Sequence, residues 1–228
     1  MEIVSIIVTH HSSTPKRNLL MKECLKSVYS TVHIPTEILF VDNGGDFDTS
    51  KFLLNECEEK RIAHYIRNAD NLWFGYARNQ AISLCEGEFI FFIDNDIILK
   101  EGWLEECLEV LKNSDKRLVT PLKIDRSHKI EKFYVSHNEK IGNKEYEVNT
   151  LAGSNCWGMK RKDLDIIGNF ENHIISGTKW CQRYARLGYA VAVLPIPKAS
   201  DKGGGTGYNK KYSISVKKTL LNGEKTII

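Results

Sequence analysis

The sequence predicts an α/β fold built on a doubly wound, mostly parallel sheet. Three observations carry that prediction. Apolar runs rich in β-branched residues occur at Ile3–Val8, Thr36–Val41 and Glu88–Ile93. Such runs suit strands covered by helices on both faces. Segments with helical spacing of apolar residues separate them, which is the βαβ rhythm of such a sheet. Each run also stops at a polar cluster: Thr9–Ser13, Asp42–Gly45 and Asp94–Asp96. Ligands of doubly wound sheets bind beyond the carboxyl ends of the strands.

The elements follow in order. After Ile3–Val8 comes a helix with Leu19, Leu20, Cys24, Leu25 and Val28 three and four apart, giving one apolar face. Thr36–Val41 runs into Asp42-Asn43-Gly44-Gly45, a turn signal. A helix near 48–60, a short strand at Ala63–Ile66, a loop at Asn71–Phe74 and a helix at Tyr76–Leu84 are expected next. Glu88–Ile93 is the most apolar strand and halts at Asp94-Asn95-Asp96. Beyond it the pattern loosens. A helix near 101–113, a strand at Leu118–Leu122 and a polar hairpin or excursion over 125–150 come first. Leu151–Met159 suggests another strand, in which Gly153 and Gly158 permit close approach. A helix near 177–187 ends at Gly188, a C-cap signal. Tyr189–Leu194 is a late strand, and Pro195 opens a glycine-rich loop. The reading is a single domain over 1–228: a first half 1–118, a second half 119–205 and a basic tail 206–228.

Composition narrows the function classes. The 228 residues are 42% hydrophobic and 27% charged, with a net charge of +3. Those values exclude a disordered or collagenous chain, and the basic excess is too small to argue for nucleic acid. The six cysteines are scattered without a CxxC pair, so neither a zinc site nor a disulfide framework is expected. The apolar N-terminus reads as a strand, not a signal peptide, and no stretch approaches the ~20 apolar residues of a membrane span. The expected compartment is cytoplasmic. The lysines of the tail allow a peripheral place on an anionic membrane, or a lid hinged at Gly203–Gly205.

Chemistry concentrates at Asp94-x-Asp96. Residues two apart in an extended segment point the same way, and adjacent carboxylates repel unless a cation lies between them. Hard ions such as Mn²⁺ or Mg²⁺ take carboxylate oxygens and keep positions open for phosphate. An isolated DxD is also compatible with a solvated acidic turn. Its position after FIFFI, beside two other strand-end clusters, favours a site. Asp42 is equally able to cap a turn, Trp73 to pack in the core, and Arg78 to lie on a surface.

Taken together these pieces resemble a family 2-type glycosyltransferase with the GT-A fold. The matching segments are VSIIVTHHSS, EILFVDNGG, NLWFGYARNQAI, EFIFFIDND, IGNF and RYARLGYAV. The resemblance implies transfer of a sugar from a nucleoside-diphosphate donor, with a UDP-sugar favoured, to an acceptor hydroxyl. It implies a nucleotide-sugar-binding half (1–118) and an acceptor-binding half (119–205). The nucleotide sugar would meet Thr9, His10, Asp42, Asn43, Trp73, Arg78, Asn79, Asp94 and Asn95, with Asp42 toward the base. Asp94 and Asp96 would hold the Mn²⁺ or Mg²⁺. The acceptor is unassigned: a glycan, a lipid-linked glycan or a modified nucleic-acid base.

The sequence departs from that pattern twice. Inverting members carry an acidic pair ahead of the late helix, one carboxylate being the general base. Here Ser176 and Gly177 stand there, so Glu171 and His173 become the candidate bases, with Asp125 further out. A retaining mechanism or a non-catalytic nucleotide-sugar binder are the alternatives. After the last strand, where related enzymes often place a metal-binding His, Asp201 is the candidate third ligand. A sugar-1-phosphate nucleotidyltransferase would need a glycine-rich loop after the first strand, where this chain has HHSSTPKRN.

Overall fold

The structure is a computed structural model and describes residues 3–11, 14–125, 128–129, 137–150, 155–171 and 176–202. His173, Gly153, the Gly203–Gly205 hinge and the basic tail therefore lie outside the described residues.

The chain runs β1 (Val4–His10), α1 (Pro15–Thr31), β2 (Thr36–Asn43), α2 (Phe47–Glu58), β3 (His64–Asn68), α3 (Trp73–Ile82) and β4 (Phe89–Asp94). It continues through β5 (Ile97–Leu99), α4 (Trp103–Lys112), β6 (Arg117–Ile124), β7 (His137–Ile141), β8 (Lys144–Asn149) and β9 (Cys156–Lys160). It ends in α5 (Arg161–Ile167), α6 (Ser176–Arg186) and β10 (Ala190–Asp201). The sheet order is β3-β2-β1-β4-β9-β6-β10-β8-β7, with β5 paired to β10. β1 to β4 pair in parallel, and β9 runs antiparallel between β4 and β6. This mixed, mostly parallel sheet with flanking helices is the predicted GT-A architecture. Among the described residues no helix is long and apolar enough to cross a membrane.

Two apolar cores cover the two faces of the sheet. One gathers Ile6, Phe40 and Phe91 with residues of α1 and α4, including Cys24, Leu25 and Trp103. The other gathers Ile7, Phe92 and Trp157 with Ala77 of α3 and Trp180 and Tyr184 of α6. Alternation along each strand divides its residues between the two. All six cysteines are free thiols, and four of them are buried.

Three local expectations need correction. Leu19 is 58% exposed, and Met21 takes its place in the buried face of α1. Trp73 is not loop but opens α3, at a left-handed φ of 65°. The segment after Pro195 is not loop either: β10 continues to Asp201, paired with β6 and β5. Pro195 and Pro197 lack a donor N–H, and register shifts on either side of Pro197 absorb them. β5 and α5, both short, carry too little periodicity to be foreseen. The polar stretch before residue 150 holds the β7–β8 hairpin. Gly158 is required where β9 pairs with β4, because a Cβ there would lie 2.2 Å from the Phe91 ring.

Candidate functional site

Strand register brings the polar clusters onto one edge. Thr9 pairs with Asp94 and with Val41, and His10 pairs with Asp42. The parallel arrangement puts the carboxyl ends of β1, β2 and β4 abreast.

The β2 end is a closed hydrogen-bond knot. Asp42 is fully buried. Its Oδ1 accepts from Gly45 N at 2.7 Å, and its Oδ2 accepts from Ser50 Oγ at 3.1 Å and Tyr65 OH at 3.0 Å. Gly45 is required because a Cβ would come within 2.4 Å of Asp42 Oδ1. Asp42 thus spends its lone pairs on the protein, while the sequence reading aimed it at the base. Asn43 works outward. Its Nδ2 donates to Asn71 Oδ1 at 2.8 Å, and its Oδ1 accepts from Leu72 N and Asn68 Nδ2 at 3.0 Å. Asn71 Oδ1 also accepts from Trp73 N at 2.9 Å. These bonds fix the turn that enters α3 and hold Trp73, half-buried, in its left-handed conformation.

The β4 end holds the acidic motif. Arg78 is 1% exposed and donates from Nη2 to Asp94 Oδ1 at 2.8 Å. The guanidinium is ringed by Phe74, Phe92 and Phe170, at 4.9, 5.4 and 5.6 Å from the ring centres. Aromatic faces attract a desolvated cation, which lets α3 carry a charge into the interior. Burial pulls the guanidinium below its ordinary range. Burial also pushes the Asp94 carboxyl up to about 6; Arg78 opposes this, while nearby Asp96 and Asp201 add to it. Solvent still reaches 35% of the Asp94 side chain. Asn95 lies against His10, Nδ2 to Nδ1 at 2.6 Å. His10 is 1% exposed, and burial lowers it to about 4, so it is neutral at pH 7.

Asp96 and Asp201 meet Asp94 through backbone pairing. Lys202 N donates to Asp96 O at 3.0 Å, Asn155 Nδ2 to Asp201 Oδ2 at 3.1 Å, and Asp94 N to Asn155 O at 2.7 Å. Arg17 is a further charge felt by Asp96. Among the described residues no three His, Cys, Asp or Glu side chains converge closely enough to cage an ion. Asp94, whose proton affinity is raised in part by Asp96 and Asp201, is nonetheless part of a hard-oxygen donor set. Mg²⁺-type sites commonly need one or two carboxylates and complete their shell with phosphate and water. The residues present fit such a metal.

The predicted catalytic region looks different. Glu171 Oε1 accepts from Arg183, which also donates to Ile167 O at 3.0 Å and Asn169 O at 2.8 Å. The Oε2 atom of Glu171 is enclosed without a hydrogen-bond partner. Ser176 begins α6, and Gly177 lines an apolar pocket with Trp157, Trp180, Tyr184, Leu118 and Val191. Asn79, expected at the nucleotide, instead bonds the main chain of Phe170 in both directions, at 2.8 and 3.0 Å. Sequence reading missed Tyr65, Asn155 and the aromatic ring around Arg78. Tyr65 and Asn155 reach the site through strand pairing, which leaves no local signal. The IGNF motif held the one available hint, Phe170.

Comparison with known proteins bears on this geometry. The Glycosyl transferase family 2 model matches residues 5–168. A Drosophila melanogaster protein named as polypeptide N-acetylgalactosaminyltransferase 13 is 26% identical over 133 residues, 52% of this chain and 23% of its own length. Glycosyltransferase GlyG of Streptococcus pneumoniae serotype 4 is 21% identical over 118 residues, 52% of this chain and 38% of its own. The chain therefore spans less than half the length of these two curated relatives. Among solved structures, GalNAc-T7 with UDP, GalNAc and Mn²⁺ aligns with a TM-score of 0.70 at 12% identity, covering 88% of this chain and 44% of that one. S. aureus TarS 1-349 aligns with a TM-score of 0.68 at 16% identity, covering 98% of this chain and 66% of that one. Both neighbours have the GT-A fold.

Proposed function

Because this chain belongs to glycosyl transferase family 2, we propose that it is a glycosyltransferase that moves a sugar from a nucleoside-diphosphate donor, with UDP favoured, to an acceptor hydroxyl. The observation that carries the reading is the convergence of Thr9, Asp42, Asp94 and Asp96 on one sheet edge, with Asp201 brought to Asp94 by β10.

The residues divide the work. The β2 knot and the Asn43-held turn form a rigid wall beside the nucleotide. A rigid wall is worth having, because binding loses less entropy when the site is preorganised. Arg78 holds Asp94 and brings positive charge toward the diphosphate. A divalent metal on Asp96 and Asp201, with Asp94, would neutralise the leaving diphosphate. The bound UDP and Mn²⁺ of GalNAc-T7 support this donor and metal choice. Glu171 is the candidate that takes the acceptor proton. Its Oε2 has no hydrogen-bond partner and would have to become accessible as the acceptor enters.

Ser176 and Gly177 favour a second reading, a nucleotide-sugar binder without transfer, since neither can act as a base. One assay separates the two. UDP-sugars are incubated with Mn²⁺, and sugar release to water or to added acceptors is followed. Release above the uncatalysed rate supports transfer. A stabilising thermal shift with UDP but no release for any sugar supports the binder.

A further inference from the structure

We infer that Asn79 is a positioning residue of the transfer reaction, acting through the main chain of Phe170 and not through the nucleotide. The inference rests on the glycosyl-transfer reading above. Asn79 Nδ2 donates to Phe170 O at 2.8 Å, and Phe170 N donates to Asn79 Oδ1 at 3.0 Å. Both ends of the amide are therefore engaged by one residue 91 positions away. Bonds to the two peptide groups that flank one residue fix its orientation as well as its place.

The clamped residue matters because of its neighbours. The Phe170 ring stacks on Trp180 at 4.9 Å and meets Phe92 edge-on at 5.5 Å. It also lies 5.6 Å from the guanidinium of Arg78, which follows Phe74 on the same helix as Asn79. Adjacent residues of α3 thus hold the two parts of Phe170: Asn79 its backbone, Arg78 its ring. Glu171, the candidate base, is the next residue. From the other side α6 secures the same segment. Trp180 Nε1 donates to Gly168 O at 2.8 Å, and Arg183 bonds Ile167 O, Asn169 O and Glu171. The strap at 168–171 is stretched between a helix of the nucleotide half and a helix of the acceptor half, and Asn79 fastens its nucleotide-side end.

Releasing that end shifts Glu171 and Phe170 while leaving Arg78 with Asp94, Phe74 and Phe92. Turnover falls and diphosphate affinity holds. Displacements near 1 Å can cost ~10²-fold in rate. The test uses the full chain with Asn79→Leu, which removes both bonds at similar volume, and Asn79→Asp, which keeps only the acceptor. Hydrolysis of a panel of UDP-sugars with Mn²⁺ gives kcat, and calorimetry with UDP and Mn²⁺ gives Kd. Amide exchange at Phe170 reports the clamp.

The expected result for Asn79→Leu is a kcat lower by about 10²-fold, a UDP Kd within twofold and faster exchange at Phe170, with Asn79→Asp between it and the wild type. If Asn79→Leu does not fold, Asn79→Asp carries the same comparison. A Kd raised tenfold at unchanged kcat makes Asn79 a nucleotide ligand and overturns the inference. Faster exchange with unchanged kcat and Kd makes it a purely structural clamp, which also overturns it. A wild-type chain that neither binds UDP nor hydrolyses any UDP-sugar contradicts the glycosyl-transfer reading, and the positioning role with it. An active wild type with an unaffected Asn79→Leu contradicts the positioning role alone.

Discussion

The two halves of the sheet solve the same problem in different ways. In the first half (1–118), β1, β2 and β4 run in parallel register, and Thr9, Asp42 and Asp94 stand at strand ends beside their turns. Asp42 is satisfied by Gly45, Ser50 and Tyr65, and Asn43 by the turn it holds. In the second half (119–205), the backbone is gripped by distant side chains: Asn79 of α3 bonds Phe170, Arg183 bonds Ile167 and Asn169, and Trp180 bonds Gly168. The first half is preorganised by topology, and the second by a few long-range fasteners. Damage to the first should therefore weaken nucleotide binding and folding, and damage to the second should weaken turnover.

That contrast can be broken at four points. The largest effect is expected in the second half. Glu171→Gln should lower kcat for sugar release by at least ~10²-fold, the usual contribution of a positioned base, with UDP affinity unchanged. Steady-state kinetics beside calorimetry checks it, and a wild-type rate removes Glu171 as the base.

In the first half, Arg78→Met should cost about 3 kcal/mol of stability, the lower end of the range for breaking a buried pair. The lower end applies because solvent reaches part of Asp94. Denaturant unfolding measures it, and a cost below about 1 kcal/mol would mean the aromatic ring, not the ion pair, holds the segment.

A pH effect of similar size should come from His10. Its folded value is lowered to about 4 against an ordinary 6.5, so the unfolded chain binds the proton first. The stability is fully present above pH 6.5 and is lost as pH falls toward 4. That loss amounts to on the order of 3 kcal/mol. His10→Gln should unfold with a flatter dependence over that interval, and equal slopes would show that His10 is not the group responsible.

The smallest effect sharpens the comparison. Asp42→Ala removes the acceptor of Tyr65 OH and Gly45 N and one of the two acceptors of Ser50 Oγ, so it should cost about 1–3 kcal/mol in folding. A loss in UDP affinity that exceeds the loss in folding would turn Asp42 back toward the base.

Much of the first half (1–118) was legible in the sequence. The runs IVSIIV, EILFV and EFIFFI announce buried parallel strands by composition alone, and Asp42 and Asp94 are read directly from where those runs stop. The second half (119–205) was harder for physical reasons. β9 has five residues and lies antiparallel between parallel neighbours, an arrangement no local period encodes. β10 passes through two prolines that normally argue against a strand, and its pairing with β6 and β5 overrides them. Arg78 was assigned to the phosphate from its residue type, but its burial in a ring of Phe74, Phe92 and Phe170 depends on a residue 92 positions later. Asn79 was placed in the nucleotide pocket through motif resemblance, while its hydrogen bonds go to Phe170.

The central claim is that strand-end carboxylates hold a nucleoside diphosphate through a divalent metal. Calorimetric titration of UDP into the full chain, with Mn²⁺ and then with EDTA, tests it most directly, with Asp96→Ala as the control. The account predicts at least tenfold tighter binding with Mn²⁺, a difference of about 1.4 kcal/mol, and predicts that Asp96→Ala erases it. Equal affinity with and without metal in the wild-type chain would contradict it.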